Sequence, residues 1–249
     1  MQRFANKVAL ITGAASGIGQ ATAIRIASEG GSVCCVDLDE AGLAKTASEV
    51  EAAGGKAQVQ RCDVGDEQQV AQMVSACVDH FGQIDTVICM AGILRFDHFH
   101  ELEKSNFEKI MHVNVTGTFL VCREAIPHLL KTGGNIVNAA SSSALAGLPW
   151  GTVYSASKGA ILSMTRSIAI EYAKQGIRAN TVSPADIVTA GMSSPNMPKD
   201  VDMKLMERCM SPTGRRGPEV VANLIAMLAS EDAVHITGED VRVDGGTLS

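Results

Sequence analysis

The chain changes its hydrophobic period repeatedly, and this rhythm narrows the choice of fold more than any other feature. Residues 8–12 are a short apolar run, 18–29 carry a helical pattern, 32–37 return to a strand-like run, and 39–53 are helical up to Gly54-Gly55. Residues 57–61 read as a strand, 66–81 as a helix ending at Gly82, and 86–90 as a strand. The apolar runs are too short for buried helices, so they read as buried strands between longer helices. That is βαβαβ order, in which parallel strands are joined by right-handed helical crossovers. Helices then cover both faces, and the expected architecture is α/β, a doubly wound parallel sheet.

The second half keeps the rhythm. The pattern predicts a helix over 104–131, bent near Asn114 and Gly117, a strand over 134–140, and a helix over 153–175 closed by Gly176. A strand over 177–183 stops at Pro184, a helix covers 219–229, and a last strand covers 240–243. Residues 186–218 break the pattern with four prolines and five methionines. A connection this long in a compact domain is usually functional. The reading is one domain over 1–249 with one mobile insertion, a candidate lid, at 186–218.

Composition removes other classes. With 46% hydrophobic and 19% charged residues the chain has material for a core and is not disordered. A net charge of −6 argues against nucleic-acid binding, which needs a basic face to displace counterions. No apolar stretch approaches the roughly 18 residues of a membrane span, and the N-terminus lacks an apolar signal region. Seven cysteines without ligand spacing fit reduced thiols, so the expectation is a cytoplasmic protein with no metal. His98 and His100 have no accompanying ligand cluster.

The first strand runs into Thr12-Gly13-Ala14-Ala15-Ser16-Gly17-Ile18-Gly19, and a helix follows. Gly13 permits a tight turn, Gly17 lets backbone approach a pyrophosphate, and Gly19 lets the helix pack closely. The helix N-terminus offers free N–H groups and the positive end of its dipole to phosphates. Asp37 ends the second strand, where a carboxylate binds both adenosine ribose hydroxyls and repels a 2′-phosphate. With no Arg or Lys in the turn and Leu38 after Asp37, NAD is favoured over NADP. Asp63 and Val64 end the third strand and reach the adenine edge.

Tyr154 and Lys158 are four apart, on one face of a helix, and Ser141 follows a strand end. A free tyrosine has a pKa of about 10, so it needs help to act as a base near neutrality. A neighbouring ammonium favours the phenolate, Ser141 holds the substrate oxygen, and Asn114 anchors a water beside Lys158.

Taken in order, the glycine turn, Asp63-Val64, Asn114, Ser141, Tyr154, Lys158 and the Asp244-Gly245-Gly246 tail resemble the short-chain dehydrogenase/reductases along essentially the whole chain. The resemblance implies a seven-stranded Rossmann sheet, an Asn114–Ser141–Tyr154–Lys158 tetrad and usually a homotetramer. It implies that Tyr154 is the acid/base and that Lys158 binds the nicotinamide ribose while lowering the tyrosine pKa. Ala91, Gly92, Pro184, Ile187 and Thr189 match cofactor positions. Two departures stand out. Cys89-Met90 replaces an Asn-Asn pair, removing a polar contact that stabilises the sheet, and Pro184-Ala185 replaces Pro-Gly, which strains the turn if φ there is positive.

The expected activity is hydride transfer between NAD and a bulky, largely apolar secondary alcohol or ketone. Leu94, Phe96, Ser143, Trp150 and Met192 are the expected substrate residues. The alternatives are a 3-oxoacyl-thioester reductase acting on acyl-carrier protein and a non-catalytic NAD-binding sensor or scaffold.

Overall fold

The computed structural model describes residues 2–189 and 197–249. The strands are β1 (Val8–Thr12), β2 (Ser32–Asp37), β3 (Lys56–Arg61), β4 (Thr86–Cys89), β5 (Asn135–Ala139), β6 (Arg178–Pro184) and β7 (Asp240–Val243). They form one sheet of order β3-β2-β1-β4-β5-β6-β7, with every neighbouring pair parallel. Chain order reverses on either side of β1, which lies between β2 and β4. A crevice therefore opens beyond the carboxyl ends of β1 and β4, where doubly wound sheets bind ligands.

Each central strand feeds two cores because its side chains alternate between faces. Leu10, Cys34, Val36, Val87 and Ile136 join one buried cluster, which the helices α3 (Glu67–Phe81) and α5 (Gly117–Thr132) complete. Ile11, Val33, Cys35, Ile88 and Val137 join the other, under α1 (Gly17–Ser28), α2 (Glu40–Ala52) and α9 (Glu219–Leu228). Burial on both faces explains why β1 and β4 read as unbroken apolar runs. The edge strand β3 instead carries Lys56, Gln58, Gln60 and Arg61, which blunt an open edge. Asp39 and Asp66 cap α2 and α3 by accepting two backbone N–H bonds each.

The helix predicted over 104–131 is two helices. The first is α4 (Lys104–Met111), the second is α5, and a π-helical turn over His112–Thr116 joins them. This is where the bend was expected. A Cβ at Gly117 would lie 2.6 Å from Val64 Cγ2, so the chain crosses the end of β3 without room for a side chain. Single π turns of this kind often mark functional positions. Three further helices are α6 (Ser143–Ala146), α7 (Thr152–Tyr172) and the single turn α8 (Lys204–Glu207). Within 186–218, Ile187 also bridges Arg216 in parallel. Among the described residues no helix is long and apolar enough to cross a membrane.

The turn after β1 sits against the helix it feeds. A Cβ at Gly19 would lie 2.1 Å from the Gly13 carbonyl oxygen. Overpacking of this kind costs about 1–3 kcal/mol. Gly19→Ala should therefore lower the midpoint of thermal unfolding by roughly 2–4 °C per kcal/mol. Circular dichroism melting checks this, and an unchanged midpoint would mean that turn and helix separate freely.

Candidate active site

The carboxyl ends of β1, β2, β4, β5 and β6 open into one continuous cavity of about 770 Å³. Its floor at one end is the glycine turn. Gly13 takes φ +69° and Gly17 φ +56°. Ala14 N–H donates to Val36 O, and Thr46 Oγ1 donates to Ala14 O at 2.8 Å, which ties the turn to β2 and α2. Ser16 is the N-cap of α1, yet its side chain makes no capping bond. The first-turn N–H groups of α1 have no intrahelical partner, and Ser16, Gly17, Ile18 and Gly19 all line the cavity. This cradle fits a dinucleotide pyrophosphate.

Asp37 lines the same end. Its carboxylate accepts from Ala15 N–H at 3.1 Å, Leu38 N–H at 2.7 Å and Asp39 N–H at 3.2 Å. Three amides thus fix its orientation at the strand end. Asp63 and Val64 also line the cavity, and Gly65 N–H holds the Asp63 carboxylate at 2.9 Å. Ala91, Gly92, Pro184, Ile187 and Thr189 line the stretch between this end and the tyrosine. A Cβ at Gly17 would lie 3.3 Å from Thr189 Cγ2, so the segment after β6 lies over the glycine turn.

Ser141, Tyr154 and Lys158 meet at the far side. Ser141 and Tyr154 both line this part of the cavity, and the Ser141 side chain is near enough to the Tyr154 hydroxyl to favour its ionised form. Lys158 Nζ donates to Ala139 O at 2.7 Å and lies 5.6 Å from the centroid of the Tyr154 ring. In the protein alone burial raises the Tyr154 pKa, and the Ser141 side chain opposes that shift. Lys158 is 4% exposed, and desolvation pushes its own pKa down to about 8, with Cys89 working weakly against the shift. In the protein alone the cation meant to help is itself disfavoured by the same burial.

Asn114, 0% exposed in the π turn, does not line the cavity. Its Nδ2 donates to Ile93 O at 3.0 Å and Ser157 Oγ at 2.9 Å, and its Oδ1 accepts from Ile93 N–H at 2.8 Å. The side chain thus clamps the segment after β4 to α7, a task the sequence did not reveal. A Cβ at Gly92 would lie 3.3 Å from Asn114 Oδ1 and 3.5 Å from Lys158 Nζ, which places both beside the cavity wall.

Both departures from the family pattern are accommodated. The thiol of Cys89 packs on Cys122, whose Sγ reaches Asn138 Oδ1 at 3.7 Å, while Asn138 Nδ2 donates to Thr165 Oγ1 at 2.9 Å. The buried polar contact beside Cys89 is therefore made from β5, by Asn138. Ala185 escapes the expected strain because the left-handed residue is Asp186, at φ +50°. Aspartate tolerates that region, and Asp186 is anchored by Ser211 N–H at 3.1 Å and Arg215 Nε at 2.9 Å.

Of the expected substrate residues, Leu94, Phe96 and Ser143 line the cavity. Trp150 does not. It lines a separate small pocket with Arg95 and Asp97, and its carbonyl accepts from Asp97 N–H at 2.9 Å. The left-handed backbone at Trp150, φ +60°, turns the chain into α7 and carries the ring away from the cavity. Met192 lies outside the described residues. Leu148 lines the cavity as the sequence suggested, and lining residues that the sequence did not single out include Arg208, Cys209 and Leu248. Met206 and Met210 belong to the methionine-rich stretch, which was the available signal for them. Arg208 donates to Ala146 O at 3.1 Å, and no periodicity marked it. Among the described residues no group of three or more His, Cys, Asp or Glu side chains converges as a metal site would.

Residues 13–247 match the family described as "Enoyl-(Acyl carrier protein) reductase". The chain is 38% identical to the 2,5-dichloro-2,5-cyclohexadiene-1,4-diol dehydrogenase of Sphingobium indicum, over 98% of this chain and 97% of that protein. It is 37% identical to the meso-2,3-butanediol dehydrogenase of Serratia marcescens, over 99% and 96%. The crystal structure of 3-ketoacyl-(acyl-carrier-protein) reductase from Brucella melitensis complexed with NADH is similar, with a TM-score of 0.89 and 34% identity over 98% of each chain.

The burial of Lys158 has a pH signature. Its pKa is lowered from its ordinary 10.5 to about 8, so between those values the unfolded chain binds a proton that the folded chain does not. Stability then rises with pH across that window, and the cost of the buried ammonium is fully present below it. Lys158→Met should be more stable than the unsubstituted protein near pH 7, with the gap narrowing toward pH 10. Urea denaturation at several pH values reads this, and a widening gap would contradict it.

Proposed function

The chain belongs to the short-chain dehydrogenase/reductase family, whose members use a nicotinamide cofactor, and on that premise we propose an NAD-dependent secondary-alcohol dehydrogenase or ketone reductase. The observation that carries the proposal is the meeting of Ser141, Tyr154 and Lys158 in the same cavity as the glycine turn and Asp37. When bound, NAD supplies the hydride acceptor or donor at its nicotinamide C4. The residues of the chain do the rest. Ser141 Oγ holds the reacting oxygen, and Tyr154 Oη takes the alcohol proton or gives it back. Lys158 would hold the nicotinamide ribose and Asp37 the adenosine ribose hydroxyls, with Pro184, Ile187 and Thr189 at the nicotinamide end, and the positive charge that the oxidised cofactor would supply there would favour the Tyr154 phenolate. Asn114 Oδ1 keeps one lone pair for a relay water beside Lys158.

Leu94, Phe96, Leu148, Met206 and Met210, which line the cavity, support a bulky, largely uncharged substrate, because an apolar wall penalises an unpaired charge. The segment 186–218 acts as a lid that closes over the substrate and excludes water. Exposed Phe107, Phe119 and Ile170 on α4, α5 and α7 suit subunit contacts in a homotetramer. A second reading, reduction of a 3-oxoacyl thioester, is favoured by the likeness to the Brucella enzyme. Since that enzyme was crystallised with NADH, cofactor choice alone does not separate the two. A panel of cyclic alcohols, aryl alcohols, sugars, hydroxy acids and a 3-oxoacyl thioester, followed by NADH absorbance, does. The highest kcat/KM on sugars or hydroxy acids would overturn the apolar-pocket reading, and the highest on the thioester would overturn the first reading. A non-catalytic sensor would turn over none of them.

Two substitutions test the roles. Tyr154→Phe should keep NADH binding, read by fluorescence titration, while kcat falls about 10²–10⁴-fold. Retention of more than roughly a tenth of kcat would remove Tyr154 as the acid/base. Asp37→Ala should lower kcat/KM with NAD about 10- to 100-fold, the worth of hydrogen bonds to a charged group. It should relieve repulsion of NADP, so the ratio narrows from both sides. An NADP preference in the unsubstituted enzyme would sink the assignment.

A further inference from the structure

Three buried side-chain atoms among the described residues find no hydrogen-bond partner: Gln58 Oε1, Ser155 Oγ and Ser143 Oγ. Only Ser143 also lines the cavity. It opens α6, is 7% exposed, and sits one turn from the reacting centre. Its N–H donates to Ser141 Oγ at 3.2 Å, the side chain that faces Tyr154, and its carbonyl accepts from Gly147 N–H at 3.0 Å. The backbone of Ser143 is therefore held in place while its hydroxyl has no partner. A buried hydroxyl left unpaired is destabilising, and native proteins seldom keep one without a use. Serine moves its oxygen by rotation about one bond between staggered wells, so the hydroxyl reaches the cavity without backbone movement.

Resting on the dehydrogenase reading above, we propose that Ser143 recognises a second oxygen on the substrate, carried by the carbon next to the reacting carbinol. The substrate class is then a vicinal diol or the corresponding α-hydroxyketone. The reacting oxygen sits between Ser141 Oγ and Tyr154 Oη. A neighbouring hydroxyl or carbonyl lies one carbon further along, toward the residue whose amide already touches Ser141. Leu94, Phe96 and Leu148, which line the same cavity, offer that oxygen no hydrogen-bonding side chain. A simple alcohol leaves the Ser143 hydroxyl unpaired in the closed site, and a diol satisfies it.

The test uses the matched pair cyclohexane-1,2-diol and cyclohexanol with the whole protein and NAD. The unsubstituted enzyme should favour the diol about tenfold in kcat/KM, the worth of one neutral hydrogen bond. Ser143→Ala should abolish that preference by lowering kcat/KM for the diol about tenfold relative to cyclohexanol. The unliganded Ala variant should melt no lower than the unsubstituted protein, because it deletes an unpaired polar atom. A fall in both substrates alike, a preference that survives in Ser143→Ala, or a lower melting point would overturn the proposal. Binding separates it from the dehydrogenase reading. In the presence of NADH the diol should raise the melting point more than cyclohexanol does, and Ser143→Ala should erase the difference. If neither alcohol is oxidised but this difference is seen and lost, the oxidation reading fails and the recognition by Ser143 stands. If the difference is missing, the recognition fails whatever the activity.

Discussion

Gly13 holds φ +69°, and a Cβ there would lie 2.7 Å from the Ala91 nitrogen and 2.8 Å from the Met90 carbonyl carbon. The turn after β1 and the end of β4 can therefore meet only through bare backbone. Thr12 completes the contact, with its carbonyl accepting from Met90 N–H and its Oγ1 accepting from Ala91 N–H at 3.3 Å. The cradle for a pyrophosphate and the wall that leads to Lys158 hang from this one approach. It aims the start of α1 at the cavity and sets Gly92 beside Asn114 and Lys158. A side chain at the crossing would part β1 from β4, the two strands between which the crevice opens.

Around the tyrosine, one physical term sets the starting state. Burial disfavours charge, so it raises the pKa of Tyr154 and lowers that of Lys158 together. The pair therefore rests closer to neutral than side chains of these types would in water. Acid/base work near neutrality then depends on what enters the cavity. On the proposed reading a positively charged nicotinamide would favour the phenolate, and each pKa unit recovered is worth about 1.4 kcal/mol. Binding the cofactor and arming the tyrosine would then be one event.

The polar groups behind the site are arranged around helix α7. Asn114 ties α7 to the segment after β4 through Ser157, and Asn138 ties α7 to β5 through Thr165. Both asparagines are fully buried, where an unpaired amide would be costly, and both have partners. The helix that carries Tyr154 and Lys158 is thus pinned to two different strand ends. The π turn at Asn114 is the local departure that points its amide at Ile93 rather than along a regular helix.

Much of this was legible in the residues because the determinants are local. The alternation of short apolar runs with helical periods required parallel strands covered on both faces, and β1, β2 and β7 fall where the pattern placed them. The glycine turn, Asp37 and the four-residue spacing of Tyr154 and Lys158 are likewise local, set by backbone sterics and helix pitch. What only the tertiary structure decided are the quantities that depend on residues far apart in the chain. Periodicity did not show that 104–131 is interrupted by a π turn, because the interruption answers to Ile93, Ser157 and Val64. Nor did it show that Trp150 faces away from the cavity while Arg208 and Leu248 reach it, since loop side chains take their direction from what they pack against. The strain expected at Ala185 fell on Asp186, whose carboxylate could be anchored by Ser211 and Arg215. Above all, a motif names a tyrosine and a lysine but not their surroundings. The pKa of each is set by burial, and burial is a property of the folded whole.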